Sequence, residues 1–176
     1  VDGVWQDRWY DTGKSGGRFL RQESAFRRVV SADPGAEFPA APGRYHLYVS
    51  LACPWAHRTL IVRKLKGLEA LISTSVVDWF MGEHGWIFSD REPCTPDTAH
   101  GAQYLHQLYP AAGSNYTGRV TVPVLWDRKR QTIVNNESSE IIRMLNRAFD
   151  AWGNAEIDLY PAELRSAIDA INTRIY

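Results

Sequence analysis

The 176-residue sequence predicts an α/β fold with the element order β-α-β, a long insertion, then β-β-α. Residues 45–50 show strand-like alternation and lead directly into an apolar helical stripe that begins near Pro54 and reaches Gly67. Farther along, two strand-like segments flank a tight polar turn at 127–130 and precede a second helical stripe. We expect the first two strands to be parallel, because a helix connects them.

Composition argues against several classes of partner. The 20 basic and 20 acidic side chains cancel and are scattered, which gives no indication of a nucleic-acid or anionic-membrane surface. No apolar segment approaches the roughly 20 residues of a membrane span, and the first residues lack a secretory signal pattern. Cys53 and Cys94 have neither metal-ligand nor disulfide-framework spacing. We therefore expect a cytoplasmic protein without a metal, whose partner is a small molecule.

Residues 1–44 have little periodicity but are rich in glycine and aromatic residues. The aromatic residues include Trp5, Trp9, Tyr10, Phe19 and Phe26. Disordered segments are usually poor in aromatics. We therefore predict an irregular arm that wraps the domain, in place of a flexible tail.

A cysteine stands where the first strand meets the first helix. Pro54 has the backbone angle favoured at the first helical position, so Cys53 lies beside unpaired N–H groups and the positive end of the helix dipole. His57 and Arg58 follow within one turn, and this setting stabilises a thiolate. The alternative is a buried cysteine that only packs. We predict that Cys53 is reactive and that Pro54, His57 and Arg58 support its thiolate.

The second strand is predicted at residues 72–77, which are rich in β-branched residues. Residues 78–118 then form a long irregular insertion with one short helix near 102–108. Loops of this length in a compact domain are usually functional or disordered. The several aromatic residues of the insertion argue against disorder.

A strand at 120–127, the polar turn and a strand at 131–136 together predict an antiparallel hairpin. Asn136 is placed to cap the helix that follows. The apolar residues Ile141, Leu145, Ala148 and Phe149 fall on one face of that helix.

The final predicted helix opens at Pro161. Its apolar stripe consists of Leu164, Ile168, Ile171 and Ile175, and no stop signal follows before Tyr176. An amphipathic helix needs a surface to pack against. We therefore expect residues 151–176 to be a linker and the first helix of a helical domain, in a chain that is the first part of a larger protein.

Four motifs occur in a specific order: Cys-Pro-Trp-Ala-His-Arg at 53–58, Gly-Glu-His-Gly-Trp at 82–86, Thr-Val-Pro-Val-Leu-Trp-Asp at 121–127 and Asn-Glu-Ser at 136–138. Together they resemble the Xi-class glutathione transferases, the glutathionyl-hydroquinone reductases. The resemblance covers essentially the whole chain. It implies a thioredoxin-like, glutathione-binding domain over residues 45–150, followed by the start of an all-helical C-terminal domain.

The resemblance also implies roles for the strand and helix that follow the insertion. Pro123 would be cis and would present the backbone of Val122 to the cysteinyl part of glutathione. An ordinary trans proline at a strand start is the alternative. Glu137 and Ser138 would bind the γ-glutamyl end at a helix N-terminus. Plain helix capping is the other interpretation of these two residues.

Three further residues have weaker patterns. By resemblance, Trp86 would stack on glutathione or donate its indole N–H, although a lone tryptophan is more often part of a core. Arg119 would pair with the glycyl carboxylate, whereas without the resemblance a solvated surface charge is expected. Cys94 has no Cys-x-x-Cys partner, so we predict a structural or merely exposed cysteine and not a resolving thiol.

The implied reaction reduces glutathionyl-hydroquinones to hydroquinones through a mixed disulfide between Cys53 and glutathione. Glutathione is then the co-substrate, the substrate is a small aromatic molecule, and a homodimer is expected by resemblance. Two alternatives remain open. One is an omega-like thiol transferase or dehydroascorbate reductase that uses the same cysteine. The other is a glutathione-binding module without catalysis.

Overall fold

In the computed structural model, the described residues are 1–8, 13, 16, 17 and 22–175. Within them the elements are β1 (Val30–Ser31), β2 (Phe38–Pro39), β3 (Tyr45–Ser50), α1 (Pro54–Leu65), β4 (Ser73–Val77), α2 (Leu108–Ala112), β5 (Val124–Asp127), β6 (Thr132–Asn135), α3 (Ser138–Arg147) and α4 (Arg165–Ile175). Short 3₁₀ turns at Leu105–Gln107 and Ala162–Leu164 precede α2 and α4. The predicted arm residues Trp9, Tyr10 and Phe19, and the terminal Tyr176, lie outside the described residues.

The central sheet has the strand order β4-β3-β5-β6. β3 pairs in parallel with β4, while β5 pairs antiparallel with both β3 and β6. This confirms the predicted β-α-β unit and the predicted hairpin. All six residues of β3 are buried, as expected for a strand with a neighbour on each side and both faces covered.

Aromatic side chains fill much of the core. The largest fully buried side chains include Trp126, Tyr45, Tyr48, Tyr109 and Phe38. α1 packs against α3 and β3. The predicted apolar face of α3 is confirmed, since Ile141, Leu145, Ala148 and Phe149 are all buried.

Gly67 ends the first helix as predicted. It has φ +64°, and its N–H donates to the carbonyl of Lys64, while the N–H of Leu68 donates to the carbonyl of Arg63. A left-handed residue with this pair of bonds is a common helix C-terminal turn, which glycine adopts at low cost. The chain then turns back toward β4.

A buried carboxylate helps to fix the middle of the insertion to the sheet. The buried Asp97 accepts hydrogen bonds from the Tyr48 hydroxyl at 2.9 Å and from the backbone N–H groups of Ala99, His100 and Ala102. These bonds hold residues 97–102 in a turn. The helix predicted near 102–108 is therefore wrong in position, and helical structure runs from 105 to 112 instead.

Two predicted boundaries near the hairpin are also wrong. β5 begins at Val124 and not at 120, because the hydroxyl of Tyr109 bonds both the N–H and the carbonyl of Thr121 and so takes the place of a strand partner. Asn136 does not cap α3. Its side-chain oxygen accepts the N–H of Phe26, and Glu137 is the N-cap residue.

Contacts of the arm begin within its described part. Phe26 is buried, and its carbonyl accepts the N–H of Asn136 at 3.0 Å. The N–H of Arg28 donates to the carbonyl of Val134 in β6. These residues therefore lie along the edge of the sheet.

The segment after α3 returns to α1 through a buried lysine. Lys66 Nζ donates to Asp150 at 2.8 Å and to the carbonyl of Ile157 at 2.7 Å. α4 then leaves its predicted stripe largely uncovered: Leu164, Ile171 and Ile175 are 51%, 55% and 73% exposed. Among the described residues, no helix is both long enough and apolar enough to cross a membrane.

Candidate functional site

Cys53 is the N-cap residue of α1, and Pro54 occupies the first turn as predicted. The backbone of Cys53 is extended, with φ −104° and ψ 113°, and its carbonyl accepts the N–H of His57 at 3.0 Å. The thiol is partly exposed and lies 3.7 Å from the carbonyl oxygen of Val122, to which it donates a hydrogen bond. The sulfur therefore lies between a helix N-terminus and the segment that enters β5.

The Val122–Pro123 peptide bond is cis, as the resemblance implies. Tyr109 fixes the preceding residue, since its hydroxyl donates to the carbonyl of Thr121 at 2.9 Å and accepts the N–H of Thr121 at 3.0 Å. Tyr109 is buried, and burial raises the pKa of its phenol, so the hydroxyl keeps the proton that it donates. The insertion thus positions the backbone that faces the Cys53 thiol.

A cavity of about 480 Å³ opens beside Cys53. Its wall combines the first residues of the chain, the insertion and the segment before β5, and it includes Trp86, Arg119 and Val122. This volume is in the range of small-molecule sites. The structure therefore brings four of the predicted site residues, counting Cys53, to one cavity.

Arg119 is held by local contacts at this cavity. Its guanidinium donates a hydrogen bond to the carbonyl of Arg8, and its own carbonyl accepts the Tyr116 hydroxyl at 2.8 Å. The side chain is partly exposed. A positive group thus stands in the cavity wall, in contact with the N-terminal arm.

Glu137 and Ser138 begin α3, are buried, and do not line the cavity. The Glu137 carboxylate accepts the N–H and the hydroxyl of Ser139 at 3.2 and 3.1 Å, and the hydroxyl of Ser24 at 3.1 Å. Arg58 donates to the Ser138 hydroxyl oxygen from two guanidinium nitrogens, at 3.1 and 2.6 Å. Both predicted residues are therefore part of a buried polar network.

Arg58 makes different contacts from those expected of a group that supports a thiolate. Its guanidinium lies on Ser138, 3.8 Å from the Glu137 carboxylate and 5.1 Å from the ring centre of Trp55. The His57 side chain is exposed. Arg58 therefore links α1 to α3 through its hydrogen bonds to Ser138, whereas the Cys53 sulfur bonds to the carbonyl of Val122.

Tyr109 and Trp5 are among the cavity-lining residues that the sequence did not indicate as part of the site. Tyr109 lies in the aperiodic insertion, and Trp5 lies in the aperiodic arm. Neither has a local pattern that distinguishes it from a core aromatic residue. Only the tertiary structure brings them to the cysteine.

The glutathione S-transferase N-terminal domain model matches residues 52–148, from the residue before Cys53 through α3. The chain belongs to the glutathione S-transferase family. One relative of this chain is glutathionyl-hydroquinone reductase PcpF of Sphingobium chlorophenolicum. It is 57% identical over 176 residues, which are 100% of this chain and 55% of that protein.

Two solved structures place this glutathione S-transferase chain more narrowly. The Xi-class transferase from Natrialba magadii superposes with a TM-score of 0.88 at 47% identity, over 100% of this chain and 52% of the other. The glutathione-bound structure of YqjG from Escherichia coli K-12 has a TM-score of 0.84 at 52% identity, with coverages of 100% and 54%. These neighbours confirm the Xi-class resemblance and the predicted fold. The chain spans about half the length of the relatives that it matches.

Proposed function

We propose that the protein containing this chain reduces glutathionyl-hydroquinones, with Cys53 as nucleophile and glutathione as co-substrate. The observation that carries the proposal is the position of the Cys53 thiol, at the N-terminus of α1 and in the wall of a cavity large enough for a small molecule. The similarity to PcpF, which is named a glutathionyl-hydroquinone reductase, and to the glutathione-bound YqjG supports it.

In the proposed reaction, the Cys53 thiolate attacks the glutathione sulfur of the conjugate. The bond between that sulfur and the ring carbon breaks, and the ring carbon takes the electron pair and a proton. Hydroquinone leaves, and Cys53 remains in a mixed disulfide with glutathione. A second glutathione thiolate then attacks the bound glutathione sulfur, which releases glutathione disulfide and restores the Cys53 thiolate. The ring is reduced by two electrons, and two glutathione sulfurs are oxidised.

The glutathione moiety is proposed to lie along the cavity wall. The backbone of Val122, followed by the cis Pro123, would pair with its cysteinyl part, and Trp86 would contact the peptide. Arg119 would exchange the carbonyl of Arg8 for the glycyl carboxylate, because a charged acceptor makes the stronger hydrogen bond.

Glu137 and Ser138 are proposed to bind the γ-glutamyl end. The backbone N–H groups at the start of α3 suit a carboxylate, and the Glu137 carboxylate suits an ammonium group. Arg58 covers Ser138 in this structure, but its side chain is 30% exposed. We therefore propose that Arg58 turns away from Ser138, or shares it, when glutathione binds.

The remaining assignments are proposals of the same kind. Residues 1–44 are an arm, 45–150 the glutathione-binding domain, and 151–176 the linker and first helix of a helical domain. We propose a cytoplasmic homodimer. A reducing compartment keeps the Cys53 thiol available for attack.

Steady-state assays of the full-length protein test the proposal. We expect hydroquinone release from a glutathionyl-hydroquinone in the presence of glutathione, and its loss in Cys53→Ser but not in Cys94→Ser. Dehydroascorbate is the comparison substrate. Faster turnover of dehydroascorbate would favour the omega-like alternative, and glutathione binding without either activity would favour a binding module.

A further inference from the structure

The indole of Trp5 is held on several sides at the edge of the cavity. It stacks on the ring of His106, with ring centres 4.8 Å apart and planes 14° from parallel. Its Nε1–H donates to the carbonyl of Glu83 at 2.9 Å. A methyl group at Gly85 would stand 2.8 Å from a ring carbon of Trp5, inside van der Waals contact. These contacts therefore fix both the position and the orientation of the indole.

The position of the indole explains why the Gly-Glu-His-Gly-Trp motif at 82–86 has a glycine at residue 85. The N–H of Gly85 donates to the carbonyl of Gly82 at 2.9 Å and so closes a turn. Gly85 has φ +69°, a backbone angle that residues other than glycine rarely adopt. Glycine is needed at this position twice, for the backbone angle and for the space that Trp5 occupies. The next residue, Trp86, lines the same cavity as Trp5.

The backbone before Trp5 is also fixed. The N–H of Asp2 donates to the Thr117 hydroxyl at 2.8 Å, and the N–H of Gly3 donates to the carbonyl of Tyr116 at 2.9 Å. Together with the indole contacts, these bonds place residues 1–8 across one side of the cavity. These first residues of the arm are thus part of the wall of the site that contains Cys53.

We propose that Trp5 is a substrate-binding residue that packs against the aromatic ring of the glutathione conjugate. The ring is bonded to the same sulfur that Cys53 attacks, so it must lie in the cavity that the thiol and Trp5 share. The cavity wall there includes the apolar residues Val4, Met81 and Pro110. A rigid indole binds an aromatic ring more tightly than an aliphatic side chain does. Offset-stacked or edge-to-face contacts contribute interaction energy in addition to that of the buried area. The identity of this ligand rests on the proposed function.

The rival explanation is that the arm acts only on glutathione. Arg8 accepts a hydrogen bond from Arg119, so loss of the arm could disturb the residue proposed to bind the glycyl carboxylate. The two explanations differ in which contact with the ligand is lost, the one with its aromatic ring or the one with its glutathione part. Trp5 as a ring-binding residue affects only ligands that carry a ring.

Isothermal titration with two ligands separates them: glutathione, and S-phenylglutathione, which carries a ring on the same sulfur. In the full-length protein we expect S-phenylglutathione to bind more tightly than glutathione. Trp5→Ala should weaken S-phenylglutathione by up to about tenfold, the range of an aromatic pair, and leave glutathione within about twofold. Trp5→Phe should keep most of the preference. Trp152→Ala, which removes a half-exposed tryptophan outside the cavity wall, should change neither constant.

Gly85→Ala displaces the indole without removing it, and it provides a second readout. Its matched control is Gly43→Ala, because Gly43 has φ +71° but no atom within 4 Å of the added methyl. Backbone strain is then similar in both variants, and only Gly85→Ala should lose the preference for S-phenylglutathione. This pair decides the matter if Trp5→Ala fails to fold by circular dichroism.

Equal weakening of both ligands by Trp5→Ala, or no weakening of either, would overturn the inference. The binding result does not depend on turnover. A protein that lacks reductase activity but whose ring preference depends on Trp5 would contradict the proposed function and support this inference. An active reductase whose ring preference is unchanged by Trp5→Ala would do the reverse.

Discussion

Arg58 in α1 donates two hydrogen bonds to the hydroxyl oxygen of Ser138, the first residue of α3. Because Cys53 precedes α1 and Glu137 precedes α3, this contact joins the beginnings of the two helices. Their positive dipole ends are therefore held in a fixed relation. One arginine side chain thus couples the proposed catalytic residue to the proposed γ-glutamyl site.

Arg58→Ala should lower the free energy of unfolding by about 1–3 kcal/mol, because it leaves the buried Ser138 hydroxyl and the Glu137 carboxylate without their guanidinium partner. Arg58→Lys should recover part of this loss, since it keeps the charge but not the two-pronged geometry. Urea unfolding measures both. Arg174→Ala, at an exposed position in α4, is the control and should shift the unfolding free energy by less than about 0.5 kcal/mol. A similarly small shift in Arg58→Ala would contradict the coupling.

Cys53 should form the mixed disulfide with glutathione, and Cys94 should not. Cys94 is 8% exposed, whereas Cys53 is partly exposed at the cavity. Incubation with glutathione disulfide followed by intact-mass spectrometry should show one adduct in the wild type and in Cys94→Ser. Cys53→Ser should show none. An adduct that persists in Cys53→Ser would show that the reactive thiol is not Cys53.

His46 should make stability depend on pH. Burial lowers its pKa to about 4 in the folded protein, where it bonds Ser73 and Ser75, against about 6.5 in the unfolded chain. The unfolded chain then takes up a proton first as pH falls. The free energy of unfolding should drop by about 3 kcal/mol between pH 6.5 and 4, with the full contribution present above pH 6.5.

Urea unfolding across that window measures the effect of His46. His46→Gln should flatten the pH dependence, while His100→Gln, at an exposed position, should leave it as in the wild type. Identical slopes for the wild type and His46→Gln would show that other groups cause the dependence.

Lys66 and Lys64 offer a matched pair of ion pairs in one helix region. Lys66 is fully buried and bonds Asp150 and the carbonyl of Ile157, whereas the Lys64 side chain is 80% exposed and pairs with Glu69. Lys66→Met should destabilise by about 1–3 kcal/mol, because two acceptors lose their donor. Lys64→Met should cost less than about 1 kcal/mol, the range of surface pairs. Equal losses in the two variants would contradict a role for Lys66 in holding residues 150–157.

The order of elements could be predicted because its signals are local. Alternation in β3, the helix-starting Pro54 and the helix-ending Gly67 each depend on a few neighbouring residues. Errors arose where a distant group decides. Asn136 has a side chain suited to capping a helix. Its side-chain oxygen instead accepts a hydrogen bond from the N–H of Phe26, which is 110 residues away in sequence. The start of β5 depends in the same way on the hydroxyl of Tyr109.

The candidate site divides along the same line. Cys53 and Pro123 lie in short motifs, and the cis bond before Pro123 is implied by the family resemblance that these motifs carry. The structure places the Cys53 thiol against Val122, the residue before Pro123. The contacts of Arg58 depend on how α1 packs against α3, which no local pattern specifies. Trp5 depends on a fold in which the arm crosses to the insertion, so its part in the cavity wall could only be found from the structure.

The hydrogen bonds of Asp97 should influence where proteases cleave the insertion. Irregular segments are usually the first places where a protease cuts, because cleavage needs an extended, unpaired backbone. Here one carboxylate engages three backbone N–H groups over residues 99–102 and a tyrosine hydroxyl from the sheet. That part of the insertion should resist nicking, and early cuts should fall in its exposed stretches near 79–84 and 113–115. Asp97→Asn, which weakens this acceptor, should open a new cleavage site between them.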